Sequence, residues 1–285
     1  MADRVTIYEV GPRDGLQSQQ RVIATANKIR LVDLLSDCGL TRIEVASFVS
    51  PKLVPQMADG HEVLAGITRR PGVAYAALTP NMRGYEAARA ARADEVAVFA
   101  SASEGFSRAN INASIAESLE RFRPVLVAAE ADGLPVRGYV SCVTDCPYDG
   151  PTPPASVARV AEALLAMGCY EVSLGDTIGA AVPATTAAML DAVLAVAPAT
   201  RFAGHFHDTW GRALDNIVVC LDRGITTFDA SAGGLGGCPF APGVSGNVAT
   251  ETVVAMLHER GFETGLDLAG LVAAASFARS LREVS

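Results

Sequence analysis

The chain has 285 residues, half of them hydrophobic and 6% aromatic, with a net charge of −8 from 23 basic and 31 acidic side chains. That length and apolar fraction allow one large buried core. The acidic balance, without a basic run of five or more residues, excludes nucleic acid as a partner, and no apolar run approaches the ~18 residues of a membrane span.

In chain order, MADRVTIYEV enters a strand-like run almost at once and lacks the basic and apolar regions of a signal peptide. Short β-rich runs then start near Val5, Arg42, Val73, Glu95, Val136, Tyr170, Phe202 and Thr226. Each is followed by a stretch of helix formers such as KIRLVDLLSDCG, GYEAARAARAD or SIAESLERFRPVLVAAEADG. The last of these repeats apolar residues at helical spacing with charges between them. Gly39, Gly133, Gly168 and Gly224 stand where helices should stop. Strand and helix alternating at this interval imply a parallel sheet covered by helices. Eight units in about 230 residues favour closure into a single α/β (β/α)8 TIM barrel over an open doubly wound sheet. GPRDG after the first strand is not the GxGxxG of a dinucleotide fold. A ninth apolar stretch, roughly Leu266 to Leu281, predicts an extra C-terminal helix, and the whole chain, 1–285, is expected to form one catalytic domain. The six cysteines show no disulfide rhythm and no second CxxxC-like pair for zinc, so a reduced, cytoplasmic protein is expected.

Barrel enzymes build their sites at the C-terminal ends of the strands. Strand one ends in Glu9-Val-Gly-Pro-Arg13-Asp14; strand two carries Glu44; strand five leads to Tyr139 and Ser141, strand six to Ser173 and Asp176, strand seven to His205 and His207. In AGHFHD the period of two puts both imidazoles on one face and Phe206 on the other. A bare HxH is as often a packed core histidine as a ligand pair, but Asp208 follows at once and Asp14 leaves the neighbouring rim, which favours a metal. Asp14 alone would otherwise read as a cap or turn residue. Residues 233–247, GGLGGCPFAPGVSGN, form a glycine-rich loop after strand eight. Cys238 within it is either an inert thiol or, over a barrel mouth, a proton donor or nucleophile. Asn247 at its end reads as a helix N-cap or as an amide-oxygen ligand.

At this point EVGPRDGLQ resembles the opening motif of the hydroxymethylglutaryl-CoA lyases of the DRE-TIM metallolyase superfamily. So do IEVASFVSPKLVPQM, NINASIAESLERF, RGYVSCVTDCPYDG, GCYEVSLGDTIG, HFHDTWG and GLGGCPFAPGVSGNVATE, nearly end to end. The resemblance implies a divalent metal, Mg²⁺ or Mn²⁺, held by Asp14, His205, His207 and Asn247. It further implies Arg13 facing the thioester carbonyl, Glu44 and Asp176 as catalytic or supporting carboxylates, and Cys238 as the loop thiol. His205 is taken with the catalytic set as well as the ligand set. An acyl-CoA would be the substrate, acetoacetate and acetyl-CoA the products, and the enzyme a homodimer. Asp14 and Glu44 are both candidates for the general base. Arg108 and Asn110 after strand four, with Tyr139, are the candidates for contacts to the CoA portion; Ser47 and Ser173 are lesser ones, and each could be an ordinary packed polar residue. Ser18, Gln19 and Gln20 replace the Asn-Glu-Lys usual in the family, Trp210 a Tyr, and Thr252 a common acid, which leaves the C3 substituent of the substrate open. The chain ends at Ser285 without the Cys-containing or peroxisomal tail of some members, so no thiol regulation of that kind is expected. Competing readings are another superfamily aldolase or condensing enzyme, and a barrel that binds metal but has lost catalysis.

Overall fold

Each strand alternates a residue that packs against the helices with one that faces the barrel axis, and that alternation gives a closed sheet its outer core and its lined interior. In the computed structural model, which describes residues 4–19, 21–237 and 246–282, eight parallel strands form a closed barrel. They are β1 (Thr6–Glu9), β2 (Arg42–Ser47), β3 (Ala74–Leu78), β4 (Glu95–Ser101), β5 (Val136–Ser141), β6 (Glu171–Asp176), β7 (Phe202–Phe206) and β8 (Thr227–Ala230). Closure runs through β1 and β8, with Thr6 opposite Thr227 and Glu9 opposite Ala230. The fold is the expected (β/α)8 barrel, and every strand begins within a residue of its predicted start.

Helices follow the strands on the outside. The helix Ile115–Asp132 starts with a capping box, Ser114 and Glu117 bonding each other's backbone, which satisfies two of the free N–H groups of its first turn. It stops at Gly133, whose φ of 68° is open to glycine but strained for other residues. The other three glycine stops, Gly39, Gly168 and Gly224, also have positive φ. Val96, Val98, Val136, Val140, Val172, Leu174, Phe202, Phe206 and Phe228 point outward and make the main apolar core with the helices.

The barrel interior is different, because charged residues occupy it. Arg137 and Asp229 are fully buried on the axis side of β5 and β8, and Glu95 and Glu171 lie below them. Arg137 donates to Glu171 Oε1 at 2.8 Å and to Asp229 at 2.7 and 3.1 Å, and its guanidinium stacks 4.0 Å over the Tyr8 ring. At the N-terminal end, Glu95 Oε1 accepts from Tyr8 (2.7 Å) and Tyr170 (2.9 Å), and Arg42 donates to the Tyr170 hydroxyl. Buried charges survive only when paired and hydrogen-bonded, and here each has a partner.

Two local features lie outside the regular scheme. GPRDG, residues Gly11–Gly15, winds into one π-helical turn directly after β1, a rare form that often marks functional sites. After β5 the chain makes a small antiparallel ladder, Asp145–Cys146 against Gly150–Pro151. The C-terminal helix, Leu268–Ser280, buries Leu271, Ala274, Ala275 and Ala278, as the ninth apolar stretch predicted. No helix among the described residues is long and apolar enough to cross a membrane.

Candidate metal centre and active site

The C-terminal ends of the strands surround a cavity of about 1320 Å³. Its floor is formed by Arg13 and Asp14 from the turn after β1, Tyr139 from β5, and His205 and His207 at the end of β7. Among the described residues one group has the spacing to hold a cation: Asp14, His205 and His207 each offer a ligand atom within 4.8 Å of the others. The two imidazoles share a face, with ring centroids 5.5 Å apart, while Phe206 between them is buried in the outer core.

The donor set fits a divalent ion. His207 Nδ1 is buried without a hydrogen-bond partner among the described residues. Burial, and then the neighbouring His205, lower the His207 pKa to about 4, so the ring is neutral and free to act as a ligand at ordinary pH. Burial alone would raise the Asp14 carboxyl; Arg13, the two histidines and the Asn247 amide outweigh it and bring it to about 2. Asn247 joins this group through a backbone bridge to His207 and an Nδ2 bond of 2.8 Å to Asp14 Oδ2. Its nitrogen also donates to Leu235 O, so the amide oxygen is the atom it has to offer a cation. The N-cap reading fails, because the following helix begins at Thr250 with Ala249 in the cap position.

Arg13 joins the two carboxylates. Its Nη1 donates to Asp14 Oδ1 at 2.6 Å, and its Nε and Nη2 lie 2.7 and 2.6 Å from Glu44 Oε2. Burial opposes the charge, but Glu44 and Asp14 hold the guanidinium protonated. N–H groups remain for a substrate oxygen, since the guanidinium carries five donors. Glu44 is fully buried behind Arg13, whereas the Asp14 side chain is 25% exposed and lines the cavity. Tyr139 donates to Glu44 Oε2 at 3.2 Å and accepts from Arg137, which ties this side of the mouth to the interior charges.

Asp176 does not join the cluster. Its oxygens accept from the Ala180 and Ala181 N–H groups at 3.1 Å and from Thr144, so it braces the loop after β6. Burial raises its pKa to about 6, against those hydrogen bonds. Ser173 donates to Asp229 at 2.7 Å, and Ser47 is buried with an unpartnered hydroxyl. Asn110 lines the outer cavity, but Arg108, on the same helix, is exposed and is not among the lining residues. The cationic lining residues of the outer cavity are Arg121 and Arg282, neither singled out from the sequence. Cys238 lies outside the described residues.

Sequence reasoning also missed Asp229, which sits 3.0 Å from His205 Nδ1, and named Glu9 at the end of strand one without giving it a role. Glu9 Oε1 accepts from Gly11 N (2.8 Å) and Ala232 N (3.0 Å), and its Oε2 from Thr250 Oγ1 (2.6 Å). One carboxylate thus ties together the turn carrying Asp14, the start of the glycine loop and the helix after Asn247. The available signal was an acid at an inward position of a short apolar strand, as in TFDA.

With this geometry in hand, comparison with known proteins is specific. The profile of the HMGL-like family matches residues 4–278. A Pseudomonas aeruginosa protein named 3-hydroxy-3-isohexenylglutaryl-CoA/hydroxy-methylglutaryl-CoA lyase is 58% identical over 94% of this chain and 90% of its own. The crystal structure of a Brucella melitensis HMG-CoA lyase superposes with a TM-score of 0.98 at 65% identity, covering 99% of each chain. An HMG-CoA lyase from Acinetobacter baumannii, solved with coenzyme A and 3-methylmalate, gives 0.93 at 37% identity over 98% of this chain and 92% of that one.

Proposed function

Because the chain belongs to the HMGL-like family, we propose that it is a hydroxymethylglutaryl-CoA lyase, a metal-dependent enzyme that cleaves 3-hydroxy-3-methylglutaryl-CoA to acetoacetate and acetyl-CoA. The observation that carries this reading is the convergence of Arg13, Asp14, His205, His207 and Asn247 at the floor of a cavity large enough for a thioester. Asp14, His205, His207 and Asn247 would hold the divalent cation, Mg²⁺ or Mn²⁺. When bound, the ion supplies Lewis acidity to the substrate oxygens.

The protein groups do the rest. Asp14 takes the proton from the C3 hydroxyl: it is ionised and lines the cavity, whereas Glu44 is behind Arg13, and geometry comes before basicity in choosing a base. The C2–C3 bond then breaks, C3 becomes the ketone carbon of acetoacetate, and the electron pair passes to the thioester as an enolate. Arg13, fixed by two carboxylates, supplies N–H groups to that developing oxyanion. The Cys238 thiol protonates C2 to give acetyl-CoA; the thiolate then recovers a proton from solvent as Asp14 releases its own, so no net proton is gained or lost. Asp176 keeps the loop after β6 in place, and Tyr139, with Asn110 further out, orients the acyl-CoA.

The cavity wall includes Leu78, Phe99 and Phe106. This apolar lining, with the name of the Pseudomonas relative, supports extending the substrate range to longer C3 alkyl groups. We assign a single catalytic domain on the one closed barrel, a cytoplasmic location on cysteines without a disulfide rhythm, and a homodimer on family likeness.

The test is a coupled assay of purified protein with 3-hydroxy-3-methylglutaryl-CoA plus Mg²⁺, Mn²⁺ or EDTA. Metal-dependent release of acetyl-CoA and acetoacetate is expected. Folded, metal-loaded protein that releases neither, from this or an isohexenyl analogue, refutes the assignment and favours the aldolase or non-catalytic readings.

A further inference from the structure

A histidine binds a metal through whichever ring nitrogen lacks a proton, so the partner of the other nitrogen decides whether the ring is ready. Around His205 that partner is Asp229, which is fully buried on β8. Asp229 Oδ1 accepts from Arg137 Nη2 at 2.7 Å, and Oδ2 accepts from Arg137 Nη1 at 3.1 Å and from Ser173 Oγ at 2.7 Å. His205 Nδ1 lies 3.0 Å from the same Oδ2. Arg137, always protonated and paired with both oxygens, holds this carboxylate ionised, so toward His205 Asp229 can only accept. The only complementary arrangement has His205 donating Nδ1–H to Asp229.

We propose that Asp229 is a positioning residue that presets His205 in the Nδ1–H tautomer, so that Nε2 carries the lone pair for the cation, with Arg137 locking Asp229 in place. The proposal rests on reading Asp14, His205 and His207 as the cation site and not on the identity of the substrate. The structural argument is that the contacts form a loop. From Asp229 the chain of hydrogen bonds runs through Arg137, Tyr139, Glu44 and Arg13 to Asp14. Both ends, His205 and Asp14, arrive at the ligand group. The alignment of the two ligands is thus set by buried groups before any ion arrives, which is the purpose of supporting contacts around metal sites.

Two measurements test it. In metal-free, ¹⁵N-labelled wild-type protein at pH 8, long-range ¹H–¹⁵N spectra of the four histidines, assigned with His61→Gln, His207→Gln and His258→Gln, should give His205 as the Nδ1–H tautomer. An Nε2–H tautomer there overturns the proposal whatever any variant does. Mn²⁺ titration, followed by electron paramagnetic resonance, then compares wild type with Asp229→Asn. With its oxygen kept at the Oδ1 position toward Arg137 Nη2, the amide nitrogen would replace Oδ2 beside Ser173 and His205, donate to Nδ1 and force the wrong tautomer. Mn²⁺ affinity should fall 10- to 100-fold, with the KM for the thioester unchanged at saturating Mn²⁺. Ser173→Ala, which leaves the histidine contact intact, should bind Mn²⁺ within threefold of wild type. A role that is only structural would lower the melting temperature of Asp229→Asn and leave its Mn²⁺ affinity and tautomer alone, and that outcome overturns the inference. Wild-type protein that binds no Mn²⁺ overturns the metal reading with it, whereas Asp229→Asn binding as tightly as a competent wild type overturns the positioning role alone.

Discussion

Replacing Glu44 by Gln isolates the job of a carboxylate that never meets solvent. The substitution keeps the side chain's shape and removes its charge. In the native site Glu44 Oε2 receives Arg13 Nε at 2.7 Å, Arg13 Nη2 at 2.6 Å and the Tyr139 hydroxyl at 3.2 Å. The guanidinium stays charged and can keep these bonds to the amide oxygen, but it loses one of its two counter-charges, with Asp14 still pairing Nη1. That should destabilise the fold by roughly 2–3 kcal/mol, somewhat less than the about 3–5 kcal/mol of a buried pair broken outright. For a barrel of this size that corresponds to a Tm lower by about 4–8 °C. The catalytic effect is larger, because Arg13 loses the clamp that aims it at the enolate oxygen. Loss of an aligned oxyanion donor lowers kcat by about 10²–10³, and the interaction develops in the transition state, so KM should stay within roughly threefold. Steady-state release of acetyl-CoA, with thermal melts of both proteins, gives both numbers. A variant with kcat within threefold of wild type refutes the view that Glu44 holds Arg13 for catalysis. A large rise in KM at constant kcat refutes the assignment of Arg13 to the transition state.

Three other outcomes are expected. Cys238→Ser should bind Mn²⁺ normally yet lose at least about 10² in kcat, as loss of a general acid does; near-normal turnover in the coupled assay removes the thiol from the mechanism. His207→Ala should weaken Mn²⁺ binding at least tenfold in a direct titration, and unchanged binding overturns its assignment as a ligand. Glu9 is raised to about 7 by burial, against the donors from Thr250, Ala232 and Gly11. A carboxyl raised on folding stabilises the fold below its unfolded value and loses that contribution as pH climbs through the folded one. The stability of wild type relative to Glu9→Gln should therefore drop by up to about 3 kcal/mol between pH 4.5 and pH 7; parallel denaturation curves across that window contradict it.

How much of this was legible beforehand follows from the range of each interaction. Strand positions depend on local composition and the helix stops on single glycines, so both could be read directly. The HxH pair was readable because period two is a property of three consecutive residues. Asp14 could be placed near it only by knowing that the first and seventh strands share one rim. The contacts of Asp229 with Arg137, 92 residues apart in sequence, leave no local trace. Nor does anything in TFDA say which of its neighbours is charged. Arg108 failed as a lining residue because two steps along a helix turn its direction about 200° from that of Asn110, and periodicity fixes that angle but not which side meets the cavity. Asp176 was read as part of the site from its strand-end position. That position also suits a residue that bonds loop amides, and the two roles look alike in sequence.

The charges inside the barrel bear on attempts to make the protein sturdier. A barrel filled with aliphatic layers accepts exchanges of similar volume one at a time for less than about 1.5 kcal/mol. Here any single exchange at Glu95, Arg137, Glu171 or Asp229 strands a buried partner, an expense of roughly 3–5 kcal/mol, so individual screening would discard all of them. Replacing a complete set with apolar residues is a different operation and is often neutral or stabilising. The lower set, Arg42, Glu95, Tyr170 and the Tyr8 hydroxyl, makes no direct hydrogen bond to the ligand histidines and is the block to redesign together for heat tolerance, with Tyr8→Phe keeping the ring under Arg137. The upper set, which reaches His205 through Asp229, should be left as it is.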